Sequence, residues 1–290
     1  MAVTTPTSKV TEVVAPAGAG DRTARLRVWG LGLWSILAIL FLFLPIVVAI
    51  IFSFNDPAGR FNFTWQGFTL DHWADPFKDP DLAESMKNSI LLALASTLGS
   101  VALGTLLAIA LVRHRFRGRG AADFFVFLPM ATPEVVLGAS LLGLFLVAGA
   151  NTGFLTLFIA HTMFALSYVV VTVKSRLQGM DPNIEEAARD LGASEWQAFW
   201  RITMPTIAPG VISAAVLAAA LSVDDYVVSS FNAGQTQTFP LFIFGATRQG
   251  VPAEVNVLAT MLLLAILFLL GLNVAVQKAL ARRDAHRASD

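Results

Sequence analysis

Three carboxylates, Glu134, Asp224 and Asp225, stand well inside long apolar stretches of this 290-residue chain. Acids in such places are costly and tend to face a cavity or a pathway, and no Lys or Arg lies in the same two stretches to pair with them. The chemistry open to them is to attract and hold a cation. Tyr226 adds a ring face on which an ammonium can rest. Glu134 follows Pro129 and Pro133, which should open its helix and free carbonyls to line a watery path. Asp224 and Asp225 are adjacent, so on a helix their side chains point about 100° apart and cannot both address one ligand nitrogen. Which of the two faces a path stays open, and a hydrated helix end with purely structural acids is the competing reading.

Other chemistries find little support. The chain has no cysteine, which excludes a disulfide scaffold, a thiolate nucleophile and a thiolate metal site. Four scattered histidines form no HExxH or similar pairing, so no metal site is expected, and His161 reads as a satisfied packing residue. There is no GxxxxGK[ST], so the chain should not hydrolyse ATP itself. Twenty Lys and Arg balance twenty Asp and Glu, which leaves no global basic field for nucleic acid. An intramembrane enzyme lacks its usual acidic or metal-binding motifs.

The elements that must position these acids are membrane spans. With 56% hydrophobic and 14% charged residues, the chain carries more apolar surface than water tolerates. Six stretches long enough to cross a bilayer fall at about 28–53, 88–112, 122–148, 152–177, 206–230 and 254–280. An all-α membrane domain over 28–280 follows. It is flanked by an Ala/Thr/Pro/Gly-rich tail, 1–27, expected to be disordered, and by a short C-terminal tail, 281–290. Sixteen of the 20 Lys and Arg lie in the two tails, at Lys278 just before the second of them, in the second connection and in the fourth connection with its flanks, which puts both termini in the cytoplasm. The opposite loops are acidic, and the first carries Phe61, Phe63, Trp65, Phe68 and Trp73, residues that commonly mark a membrane interface.

The fourth connection, 181–205, has its own structure. Asp181 and Pro182 open a short helix with Ile184, Ala188 and Leu191 on one face, and Gly192 stops it. Ser194 and Gln197 form a capping box for a second helix carrying Trp196, Phe199 and Trp200, which Pro205 should end. Two stubby amphipathic helices at a glycine elbow can rest on lipid or plug a groove on a cytosolic partner.

The spacing Glu186-Ala187-Ala188, Gly192, Ile202 and Pro205 reproduces the EAA-x3-G-x9-I-x-L-P signature, with Met204 in place of its leucine. The loop resembles the one that binding-protein-dependent ABC importer permeases of type I seat in their ATPase. That resemblance implies a six-helix MetI-like fold, with Glu185, Glu186, Ala187, Ala188, Gly192, Glu195, Ile202 and Pro205 as the ATPase-coupling loop. Further stretches, LSVDDYVVSSFNAG at 221–234, FTWQGFTLDHW at 63–73, RHRFRGRG at 113–120 and LPMATPEVVLGASLLGLFL at 128–146, are similar to the spermidine/putrescine permease subfamily, as is 239–264. Tyr226 and Glu134 depart from its pattern, where an aliphatic residue and an aspartate are usual.

The resemblance implies a multi-pass protein of the bacterial inner membrane, half of a path for a polyamine, with Glu134, Asp224, Asp225 and Tyr226 along it. Its partners would be a dimer of ABC ATPase subunits carrying the ATP and Mg, a second, PotB-like permease subunit on a different chain, and an extracytoplasmic polyamine-binding protein. No cofactor is expected in this chain. A permease for another small cation or solute and a secondary transporter are the alternatives; the latter leaves the Glu186/Gly192 loop unexplained.

Overall fold

The computed structural model describes residues 20–59, 61–181, 183–248 and 250–287. The chain divides after Ala49 into two units. The first is mostly helix α1 (Gly20–Phe52), whose 24 residues from Trp29 to Phe52 carry no charge and are long enough to span a bilayer. The helix starts ahead of the expected boundary at 28, so residues 20–27 are helical rather than a disordered tail. Nothing between Asp21 and Val28 breaks a helix: the run Arg22-Thr23-Ala24-Arg25-Leu26-Arg27 has neither Pro nor Gly. Residues 1–19 lie outside the described residues.

In the second unit every regular element among the described residues is helical, apart from an isolated antiparallel bridge between Asn55 and Phe68. The loop after α1 is organised by buried Asn55, whose Nδ2 donates to Asn62 Oδ1 (2.6 Å) and the Thr64 carbonyl (2.9 Å). Phe54 stacks on both Phe68 and Trp73, so two of the expected interface aromatics are tied into the loop itself. A short helix α2 (Asp71–Ala74) follows, and then α3 (Pro80–Arg113), started by Asp79, whose carboxylate accepts from the Asp81 and Leu82 amides.

Helices α4 (Arg119–Ala131) and α5 (Glu134–Val147) form one broken element, bent by 111° at Thr132 and Pro133. Pro133 has no amide to continue the ladder and drives Thr132 extended, as the sequence indicated, whereas Pro129, expected to open the helix as well, lies inside α4. Helix α6 (Phe154–Gln178) leads to the polar connection, with α7 (Asn183–Asp190) and α8 (Glu195–Ala198). Pro205 does not stop the second of these helices. A π-helical turn at Phe199–Thr203 carries α8 into α9 (Met204–Asp224), giving a continuous helical run of 30 residues from Glu195. The wider turn lets the Met204 amide bond the Phe199 carbonyl five residues back and accommodates the missing amide of Pro205.

The expected span 206–230 is likewise divided. It leaves the helix at Asp224, and a short helix α10 (Val227–Asn232) follows. Helix α11 (Phe239–Ala246), which periodicity did not indicate, precedes α12 (Ala253–Arg287), which runs on beyond 280. With five long apolar helices and one bent pair, up to six spans are present among the described residues.

The centre of this unit is α3, α6 and α9. Buried Ser96, Ser100, Gly104 and Ala108 recur every fourth residue on α3 and form a small-residue stripe that lets α6 approach closely. A Cβ at Gly104 would lie 2.7 Å from Val169 Cγ1, so the approach leaves no room for one. Val169, Val170, Val173 and Ile207 complete the dry core behind it.

Candidate coupling loop and substrate path

The polar connection is built by local rules. Asp181 Oδ1 accepts from the Asn183 amide (2.9 Å); Pro182, expected as the first helical residue, lies outside the described residues. Gly192 ends α7 at φ +90°, a left-handed conformation that glycine adopts without steric cost, while the Ala193 amide bonds the Ala188 carbonyl. Ser194 Oγ accepts from the Gln197 amide and Gln197 Oε1 accepts from the Ser194 amide, completing the capping box.

The two adjacent glutamates part company. Glu185 turns inward, where it pairs with Arg113 at the end of α3 and accepts from the Thr203 hydroxyl in the π turn. It thereby ties three elements together beside a cavity of about 290 Å³ that Glu195, Arg189 and Phe199 also line. Glu186 and Ala187 are exposed, Ala188 and Ile202 are half-buried, and Pro205 is exposed. Leu191 is 90% exposed and Trp196 70%, with Trp196, Phe199 and Trp200 in mutual ring contact. The loop thus presents an uncovered apolar knob beside a free acid, on a base braced from within. Arg113 entered the sequence reading only as a cation of the second connection and as the first residue of RHRFRGRG, and Thr203 not at all.

The second site lies where the two broken elements meet. Helix α10 packs on α5, with Asn232 Nδ2 donating to the carbonyls of Gly138 (3.2 Å) and Val228 (2.9 Å). Glu134 is exposed at the start of α5, the helix on which α10 packs, and Asp224 stands at the end of α9. Asp224 is exposed and lines a cavity of about 470 Å³ with Tyr226, Phe244, Ile243 and Leu262. The Tyr226 and Phe244 rings lie 4.6 Å apart between centroids, and the Arg248 guanidinium lies 5.9 Å from the Phe244 ring.

Asp225 is different, at 8% exposure. Its carboxylate accepts from the Val228 amide (3.2 Å), the Ser229 amide (2.8 Å) and the Ser229 hydroxyl (2.9 Å), and so starts α10. His161 Nε2, from a different span, stands 3.4 Å from Asp225 Oδ2. Of the four path candidates, the fold brings Asp224 and Tyr226 into one cavity, leaves Glu134 out of its lining and turns Asp225 away. Phe244 lies within the stretch 239–264 but was not singled out, because α11 falls outside the six expected spans.

Residues 100–284 match the family described as "Binding-protein-dependent transport system inner membrane component", well over half of the chain. The chain belongs to this family. The permease is 40% identical over 245 residues to the spermidine/putrescine transport system permease protein PotC of Escherichia coli K12, covering 84% of this chain and 90% of that one. It is 37% identical over 242 residues to the putrescine transport system permease protein PotI of the same strain, covering 79% and 85%. Among solved structures, a bacterial ABC transporter that imports alginate superposes with TM-score 0.63 at 18% identity, covering 89% of this permease and 98% of that chain. The methionine transporter MetNI gives 0.56 at 15%, covering 68% and 95%. At such identity these two carry the fold, which is the ABC permease fold expected from the loop motif. The permease is therefore an inner-membrane transport component and not an enzyme, and the secondary-transporter alternative falls.

Proposed function

We propose that this permease forms half of the membrane path of an ATP-driven importer for a polyamine such as spermidine or putrescine. The observation that carries the substrate class is the cavity at the end of α9. A polyamine is a chain of ammonium groups separated by methylenes, and the cavity offers an exposed carboxylate, Asp224, two rings, Tyr226 and Phe244, and a wall that is apolar apart from Thr247. The C-terminal end of α9 points its partial negative charge the same way, as interrupted helices in other transporters do for cations. Glu134 stands as a second, separate acid for a neighbouring ammonium. The names of the relatives above support the same class.

In this proposal both termini are cytoplasmic and the loop 181–205 seats in a dimeric ATPase, which holds the ATP and Mg; no cofactor belongs to this chain. Glu186, Leu191 and Trp196 make the contact, and Glu185 holds the loop in shape. A PotB-like permease on another chain closes the path, and an extracytoplasmic polyamine-binding protein delivers the substrate. Competitive uptake of labelled spermidine and putrescine, in cells that lack their own polyamine importers, tests the substrate class. Saturable, energy-dependent uptake supports it. Uptake indifferent to both polyamines but sensitive to another small cation favours the alternative substrate.

A further inference from the structure

A run of buried hydroxyls crosses the core beside the proposed path and ends on the carboxylate that does not face it. Ser96 Oγ of α3 donates to Ser222 Oγ of α9 (3.1 Å), and Ser222 lies 2.8 Å from His161 Nδ1 of α6. His161 Nε2 lies 2.9 Å from Ser229 Oγ of α10, and that hydroxyl donates to Asp225 Oδ2 (2.9 Å). All five residues are buried, His161 at 2% exposure. With the imidazole proton on Nε2, every donor from Ser222 to Asp225 points the same way, while the Ser96 hydroxyl at the head of the run is shared between Ser222 Oγ and the Ala93 carbonyl (3.4 Å). The run links α3, α6, α9 and α10, and His161 is the side chain that joins α6 to both sides of the α9–α10 break.

The break this run holds is the one that makes the site. Asp225 is extended, at φ −67° and ψ 115°, and its side chain substitutes for the helical turn that would otherwise continue α9. Were α9 to continue, Asp224 would no longer stand at a helix end and Tyr226 would leave Phe244. Asp225 can stay in place only while its buried carboxylate is satisfied, and the Ser229 hydroxyl that satisfies it is itself oriented by His161.

We infer that His161 is a positioning residue for the substrate path: through Ser229 and Asp225 it fixes the interruption between α9 and α10 that presents Asp224 and Tyr226 to the cavity. This rests on the reading of Asp224 as a path residue. His161 touches no substrate, and its removal misplaces the acid rather than deleting it.

Two conservative variants separate this role from ordinary core packing. The amide of His161→Gln reaches the place of Nε2 and keeps the bond to Ser229, whereas that of His161→Asn occupies the place of Nδ1 and keeps only Ser222. In the assembled transporter, His161→Asn should raise the spermidine concentration for half-maximal uptake by about fivefold at unchanged maximal rate, the scale of one lost neutral hydrogen bond, while His161→Gln stays near wild type. A second readout needs no transport. Because the chain has no cysteine, Asp224→Cys supplies a single thiol. Its labelling by a cationic methanethiosulfonate should slow several-fold with His161→Asn and not with His161→Gln.

Equal behaviour of the two variants in both readouts overturns the inference, whether both match wild type or both lose maximal rate and yield together, as a packing residue would. Asp224→Asn in the same uptake assay keeps the two ideas apart. If it lowers uptake while His161→Asn does not, only the positioning role fails. If it leaves uptake unchanged, Asp224 is not on the path and the inference falls with that reading.

Discussion

At the scale of single residues, two neighbouring aspartates have opposite duties. Asp224 is exposed at a helix end with a ring pair in its cavity, and Asp225 is buried with three donors on its carboxylate. Asp224→Asn keeps the shape and removes the charge, so spermidine uptake from subsaturating concentration should fall by about tenfold or more, the scale of a charge-assisted contact. A trication should suffer more than a dication if Glu134 acts with it, and Glu134→Gln should give a smaller loss; side-by-side uptake of spermidine and putrescine measures both. Asp225→Ala should act on the protein before it acts on transport. Leaving the Val228 and Ser229 amides and the Ser229 hydroxyl without their acceptor costs about 1–3 kcal/mol per buried group. A lowered melting temperature in detergent is the expected result, and an unchanged one would return Asp225 to the surface.

Among the elements, the loop 181–205 carries an inner and an outer glutamate. Glu185 is satisfied within the chain by Arg113 and Thr203, while Glu186 is exposed beside Leu191 and Trp196. Glu186→Lys should leave the protein inserted and abolish substrate-stimulated ATP hydrolysis, because charge reversal strikes the outward face alone. Gly192→Asp should do likewise by straining the left-handed elbow, at about 1–3 kcal/mol. Wild-type stimulation in either variant would detach the elbow from coupling. The inner brace makes a different prediction. Arg113→Gln and Glu185→Gln should weaken stimulation to a similar extent, and the double variant should be little worse than either, the mark of two groups acting as one pair. Additive losses in that double-mutant cycle would mean that the pair is incidental.

For the whole molecule, the charge distribution and the fold meet at one end of the helical unit. Arg113 reaches both Glu185 and Met180 Sδ, and Lys174 pairs with Asp123, so the second and fourth connections lie together there. At the opposite end His72 Nδ1 stands 3.1 Å from Glu254 Oε1, joining α2 to the start of α12. If the cationic end is the cytoplasmic one, tags at both termini and near Gly118 will be protected from external protease in intact cells, and a tag near Asp75 will be cut. Cleavage near Gly118 with protection at Asp75 would invert the topology.

What the sequence determined by itself is what short-range rules control. The apolar stretches needed only their length, the break at Pro133 a missing amide, and the caps at Asp181 and Ser194 a partner two or three residues away. The EAA-type spacing made the family legible for the same reason, since the whole motif lies within twenty consecutive positions. Tertiary structure decided which aspartate faces the cavity, because the choice depends on donors that α10 supplies only once it leaves α9 and on a histidine 68 residues from its serine partner. It also decided that Glu185 looks inward, through an arginine at the end of another helix. Adjacent carboxylates are alike in sequence, and only the distant groups that fold against each one decide which is satisfied within the protein and which is left to meet a cation.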